Sequence, residues 1–140
     1  MNTEQRDELF TFFKKSDKFK YITKDYLKSL KTYYVIRDDG TLLGVVTFKN
    51  YQDCKRSWSK KFPFKNTLCV SELLVGKEYR HKGYGTKLLN KVKQYAQYNG
   101  YDKLVLSVTD DNKNAKGLYE KYGFDNAGSF DYKYIKLVLD

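Results

Sequence analysis

One proline, two cysteines and one histidine are all that 140 residues hold of those three types. Two cysteines make neither a disulfide framework nor a zinc-ligand cluster, and no metal site is expected. Cys69 follows Leu68 and precedes Val70, so it reads as a small core residue, while Cys54 lies among polar neighbours. No apolar run reaches bilayer-spanning length. The first residues, Met1 to Glu8, are polar and charged, with no signal-type apolar segment. These absences point to a soluble, cytoplasmic chain with no membrane partner. Acidic residues are also short: 17 against 27 basic ones, a net charge of +10. Such a balance suits an acidic partner, nucleic acid included, although solubility alone also accounts for surface charge.

What the chain does hold is aromatic side chains, at 17%, within an ordinary hydrophobic content of 41%. The length suits one domain, residues 1–140, around one core. No repeat or low-complexity tail interrupts it.

The run from Leu73 to Leu89 organises the rest. Leu73-Leu74-Val75 continues an apolar strand pattern that starts at Thr67. Arg80-His81-Lys82-Gly83-Tyr84-Gly85 forms a basic glycine turn. Leu88, Leu89, Val92, Tyr95 and Ala96 then give a helical stripe. A helix that begins at a glycine turn presents free backbone N–H groups and the positive end of its dipole. Gly83 and Gly85 lack a Cβ and so allow close approach of an anion. Arg80 and Lys82 add positive charge. The physical reading is a diphosphate cradle. Taken out of context, the same residues read as a plain helix start with loop glycines. The spacing fits neither a P-loop nor a dinucleotide fingerprint.

Along the chain, Thr3 to Lys14 reads as a helix with Leu9, Phe10, Phe12 and Phe13 on its apolar side. Thr23 to Leu30 reads as a short helix capped by Thr23. Tyr33 to Arg37 and Thr41 to Phe48 form a hairpin about Asp38-Asp39-Gly40, and Gly44 marks a bulge or a close ligand. From Asn50 to Asn66, Lys55, Arg56, Lys60, Lys61 and Lys65 alternate with Trp58, Phe62 and Phe64. That mixture suits single-stranded nucleic acid or a substrate lid, and equally a solvated connection whose aromatics pack on the core. Lys103 to Val108 is a strand. With the glycine turn and its helix it closes a right-handed βαβ unit whose two strands run parallel. Asp110-Asp111 are read as the cap of a helix from Lys113 to Tyr122, and Tyr132 to Leu139 as the last strand.

Two segments in this order carry a resemblance. Leu-x-Val, then Arg80-x-x-Gly83-x-Gly85, then Leu88-Leu89 resembles the acetyl-CoA-binding motif of the GNAT superfamily of N-acetyltransferases. Asn112-x-x-Ala115-x-x-Leu118-Tyr119-Glu120-Lys121-x-Gly123-Phe124 resembles that superfamily's second cofactor-contacting segment. The likeness runs from Tyr33 to Phe124. It implies an α/β domain with a mixed, mostly antiparallel central sheet flanked by helices. It also implies a splayed parallel strand pair at the cofactor site.

Roles follow from the resemblance residue by residue. Backbone groups of Leu73 and Val75, with Leu74 between them, pair with the cofactor's pantetheine arm as if it were an added strand. Arg80, His81, Lys82, Gly83, Tyr84, Gly85 and Thr86 hold the pyrophosphate. Asn112 hydrogen-bonds the arm, and Ala115 lies in the same segment. Tyr119 protonates the leaving thiolate as general acid. Glu72 is the candidate base. Strand alternation, however, sets it on the face opposite Ser71 and Leu73 unless a bulge re-aims it, and Ser71 holding a water is the alternative. Many members of the superfamily have a proline where this chain has Gly76. The expected reaction moves the acetyl group of acetyl-CoA to a primary amine by direct attack on the thioester, with no metal. The competing reading is a non-catalytic module of the same fold whose basic face binds RNA or a protein. A homodimer is a further expectation from the superfamily.

Overall fold

The computed structural model describes residues 1–50, 66–108, 112–126 and 133–137. The basic aromatic stretch of residues 51–65, Asp110-Asp111, Tyr132 and Leu139 lie outside them. Helix α1 spans Thr3–Lys14 and opens on a capping box in which Asn2 and Gln5 exchange side-chain and backbone bonds. A 3-10 turn, Asp17–Phe19, leads to α2, Lys24–Ser29, capped by the Thr23 hydroxyl. Strands β1 (Tyr33–Asp38) and β2 (Thr41–Asn50) make the expected hairpin, with Asp39 and Gly40 at positive φ in its turn. Strand β3 covers Thr67–Val75, α3 Tyr84–Tyr98, β4 Lys103–Ser107 and α4 Lys113–Tyr122. Two further strands, β5 (Asp125–Asn126) and β6 (Lys133–Leu137), complete the sheet.

The strand order is β1-β2-β3-β4-β6-β5. Only β3 and β4 run parallel, joined through α3; the other described pairs are antiparallel. Two apolar layers cover its faces. One face carries Val46, Phe48, Leu68 and Val70 under Leu88, Leu89, Val92 and Ala96 of α3 and Tyr119 of α4. The other carries Leu42, Val45 and Leu74 under Leu9 and Phe13 of α1 and Leu27 of α2. Leu89 is fully buried, and truncating it to alanine is expected to cost about 2–5 kcal/mol through lost transfer energy and the cavity left behind.

Register breaks in β2 and β3 decide which side chains reach which layer. Ile36 faces Gly44 but Arg37 faces Leu42, so Leu43 is one residue too many in β2. Gly44 therefore adjoins a bulge, and a Cβ there would come within 3.2 Å of both the Leu74 carbonyl and a Leu88 methyl. Further along, Thr47 faces Glu72 but Phe48 faces Val70, so Ser71 is the extra residue in β3.

Cys69 is buried, as a core residue should be, but it is held in a disulfide rather than free. That corrects the sequence reading, and its partner lies outside the described residues. Gly76 leads into a 3-10 turn, Lys77–Tyr79, whose Tyr79 ring lies 2.9 Å from where a Cβ on Gly76 would sit. No described helix is long and apolar enough to cross a membrane.

Candidate active site

The Ser71 bulge redirects Glu72. Leu68 and Val70 lie on the α3 face, and so do Leu73 and Val75 beyond the bulge. Their spacing shifts by one residue across Ser71, and Glu72 joins Leu74 on the α1–α2 face. Simple alternation from Leu68 would have left it on the α3 face. There Glu72 is 5% exposed and accepts from three hydroxyls. Tyr21 donates at 2.9 Å, Tyr26 at 2.7 Å, and Thr47 from the facing position of β2. The Thr47 oxygen in turn accepts from the Glu72 backbone N–H at 3.0 Å. A buried carboxylate without such donors would be strongly disfavoured.

The phenols pay no charge of their own in this arrangement because they stay protonated. Burial pushes the Tyr21 hydroxyl well above the ordinary tyrosine range, and the negative charge of Glu72 pushes it further. Tyr26 is raised by the same two causes in the same order. Tyr26 and, least of all, Tyr119 add to the upward shift of Tyr21. Tyr119 itself is 6% exposed, and burial raises its pKa above the ordinary value. Its helix ends at Gly123, φ 113°, and the turn there folds Phe124 edge-on against the Tyr119 ring at 5.7 Å. Of the two side chains singled out for acid–base work, Glu72 is gathered with Tyr21, Tyr26 and Thr47, while Tyr119 packs in the α3-side core. Sequence reasoning missed Tyr21, Tyr26 and Thr47. Each lies 25 or more residues from Glu72 along the chain, and nothing local marks them.

Beside this cluster the parallel pair comes apart. Strands β3 and β4 pair at Thr67–Lys103, Leu68–Leu104 and Cys69–Val105, and no pairing follows among the described residues. From Val70 to Val75, β3 continues with β2 as its one partner strand among the described residues. Strand β4 meanwhile stays paired to β6 through Ser107. The result is an open backbone edge beginning at the bulge. The Ser71 hydroxyl lies there, buried and without a hydrogen-bond partner.

The basic turn follows β3. His81 and Gly83 both have positive φ, 64° and 85°. Helix α3 has no side-chain cap and no acidic residue in its first turn. Its first backbone bond runs from Lys87 N–H to the Gly83 carbonyl. The amides of Tyr84, Gly85 and Thr86 therefore have no carbonyl within the helix. Arg80, His81, Lys82 and Gly83 are exposed, and the Arg80 Nε reaches the Val75 carbonyl at 3.5 Å.

The two glycines have different reasons to be there. A Cβ on Gly83 would meet nothing within 4 Å, so that position is open for a ligand to approach. A Cβ on Gly85 would sit 2.7 Å from a Leu118 methyl, so Gly85 is buried helix-to-helix packing. This corrects the reading of Gly85 as a gap left for an anion. Asn112 is the N-cap of α4, its Oδ1 accepting from the Ala115 N–H at 3.3 Å. The cap is thus Asn112 and not the aspartates before it. Among the described residues no group of three or more metal-ligating side chains occurs.

The model of the Acetyltransferase (GNAT) family matches residues 2–124. An uncharacterized N-acetyltransferase of Methanocaldococcus jannaschii is 28% identical over 119 residues, which is 83% of this chain and 53% of that protein. The chain spans about half the length of the first curated relatives it matches, at 53%, 48% and 48%. Among solved structures, a GNAT-family acetyltransferase of Staphylococcus aureus Mu50 superposes with a TM-score of 0.78 at 19% identity, covering 99% of this chain and 96% of that one. The PaiA N-acetyltransferase of Thermoplasma acidophilum, solved with coenzyme A, gives a TM-score of 0.72 at 19% identity, covering 98% and 95%. At that identity the superpositions establish the fold, while the family match, which takes in β3, the basic turn and the Asn112–Phe124 segment, establishes kinship. The chain belongs to the GNAT acetyltransferase family.

Proposed function

We propose that this chain is an N-acetyltransferase, taking the acetyl group of acetyl-CoA and passing it to a primary amine. The observation that carries this reading is the parting of β3 from β4 after Cys69 and Val105. It opens a backbone edge on the strand that carries Glu72, and that strand leads through the basic turn to the free amides of α3. Residues of this chain fit the donor. Leu73, Leu74 and Val75 offer backbone groups to an extended arm, as an added strand would require. The amides of Tyr84, Gly85 and Thr86, with Arg80, His81, Lys82 and the open position at Gly83, suit linked phosphates. Asn112 caps α4 through the Ala115 N–H, and both are assigned to the arm. The buried, unpartnered Ser71 hydroxyl is a donor for a carbonyl or a water at the bulge.

The chemistry asked of the protein is modest, since a thioester is already activated towards amines. The chain positions both reactants, provides donors for the developing negative charge and handles protons. Glu72 is the acceptor of the amine's proton. Tyr119, kept protonated by burial, is the donor to the departing sulfur. The basic surface, net +10, favours an acceptor that is acidic or carried on a polyanion over a polycation.

A free-thiol assay tests the reading. Acetyl-CoA is incubated with the folded chain and amines of several classes. Thiol release that requires both protein and amine supports it. Tight coenzyme A binding with no release over the whole panel would instead favour a binding module of the same fold.

A further inference from the structure

The two oxygens of the Glu72 carboxylate are unlike. Oε1 accepts from Tyr26 on α2 at 2.7 Å and from the Thr47 hydroxyl on β2, so it is anchored from two elements. Oε2 accepts from Tyr21 alone among the described contacts that reach it, at 2.9 Å. Glu72 is 5% exposed and offers almost no surface to an incoming molecule, whereas Tyr21 is 60% exposed. The Tyr21 ring edge faces outward, leaning on Phe19 at 6.1 Å between centroids, while its hydroxyl reaches in to the carboxylate. The Tyr21 hydroxyl touches the buried base, and the residue that carries it is the exposed one of Glu72's three donors.

We propose that Tyr21 is a catalytic residue: the acceptor nitrogen meets its hydroxyl, and Glu72 acts through it rather than by direct contact. This rests on the acetyl-transfer reading above. As the nitrogen bonds the acetyl carbon, one N–H bond breaks and that proton goes to the Tyr21 oxygen. The proton already on Tyr21 moves along the 2.9 Å bond to Glu72 Oε2. Tyr21 ends neutral and Glu72 ends as the acid. When the C–S bond breaks, its electron pair goes to sulfur and the Tyr119 proton follows. Glu72 later returns its proton through Tyr21 to water, and Tyr119 regains one from water, which restores both groups.

The direct and the relayed base give opposite signs for one substitution. Tyr21→Phe uncovers Oε2, so a directly acting Glu72 would keep its activity or gain. The relay instead loses its first proton acceptor, and kcat should fall about 10²-fold, within the range of general-base contributions. The acceptor used is whichever alkylamine, amino acid or alanyl dipeptide the native chain acetylates fastest. Tyr26→Phe leaves Thr47 on Oε1 and Tyr21 on Oε2 and should cost less than about tenfold. Coenzyme A affinity by calorimetry should be the same in all three proteins. A readout independent of turnover places 3-fluorotyrosine at position 21 and follows its fluorine resonance against pH. Glu72→Gln should lower the pH at which that ring ionises; no change would remove the contact and the relay. Native turnover with an unimpaired Tyr21→Phe variant would overturn the relay alone. No acetylation of any amine by the native chain would overturn the acetyl-transfer reading and the relay with it.

Discussion

Gly83 and Gly85 sit two positions apart in one turn, and alanine at each should fail for a different reason. At Gly85 the new Cβ would lie 2.7 Å from Leu118 Cδ2 and 3.6 Å from Cδ1. Leu118 is partly buried between α3 and α4, so it yields at a cost. Overpacking of this kind costs about 1–3 kcal/mol. Alanine inside a helix returns roughly 0.5–1 kcal/mol relative to glycine. The net expectation is a loss of about 0–2.5 kcal/mol, with coenzyme A affinity unchanged. Shortening the neighbour tests the cause. In a Leu118→Ala background the clash is gone, and Gly85→Ala should turn stabilising by roughly 0.5–1 kcal/mol. At Gly83 nothing stands within 4 Å, but φ is 85°, so alanine there costs about 1–2 kcal/mol of backbone strain. Its Cβ also fills the approach to the helix amides, so coenzyme A affinity should drop. Denaturant melts give the stabilities and calorimetry the affinities. The reasoning fails if the Gly85→Ala penalty is the same in both backgrounds. It fails equally if both glycine variants lose coenzyme A alike.

Tyr119→Phe should lower turnover about 10²-fold while leaving coenzyme A affinity nearly intact, measured by the thiol assay and calorimetry; full activity would remove its role as acid. The same residue should show in alkaline unfolding. Burial holds the Tyr119 pKa above its unfolded value of about 10, so its contribution is fully present below that pH and is lost as pH rises towards the folded value. Phenylalanine there should flatten the alkaline fall in stability by about 1.4 kcal/mol per pH unit. Arg37 pairs both its terminal nitrogens with Glu8, tying the β1–β2 hairpin to α1, and that hydrogen bond lowers the Glu8 pKa. Both side chains are more than a third exposed, so a double-mutant cycle should give only about 0.2–1 kcal/mol. The coupling should be present at neutral pH and vanish as pH falls below the Glu8 pKa.

Much of the framework was legible because its signals are local. The stripe of Leu88, Leu89, Val92 and Ala96 marks α3, Thr23 caps α2, and Gly123 ends α4. The parallel pairing of β3 and β4 follows from the helical crossover that joins them. The side of the sheet reached by Glu72 was not legible, since it turns on one extra residue, Ser71, that period-2 alternation cannot reveal. The role of Gly85 was hidden too, because its contact is Leu118, a residue one helix and one strand further along. Tyr21 and Tyr26 looked like two more aromatics in a chain with 14 tyrosines. Only the packing of α2 and its connector over the β3 bulge gives them Glu72 as a partner.

The central claim is that the open edge of β3 and the start of α3 together hold acetyl-CoA. Its most direct test is a titration of the isotope-labelled chain with acetyl-CoA, read through backbone amide resonances. Leu73, Val75 and Gly83 to Thr86 should shift together and saturate at one stoichiometry. Amides at those positions that stay still, whether or not others move, would contradict it.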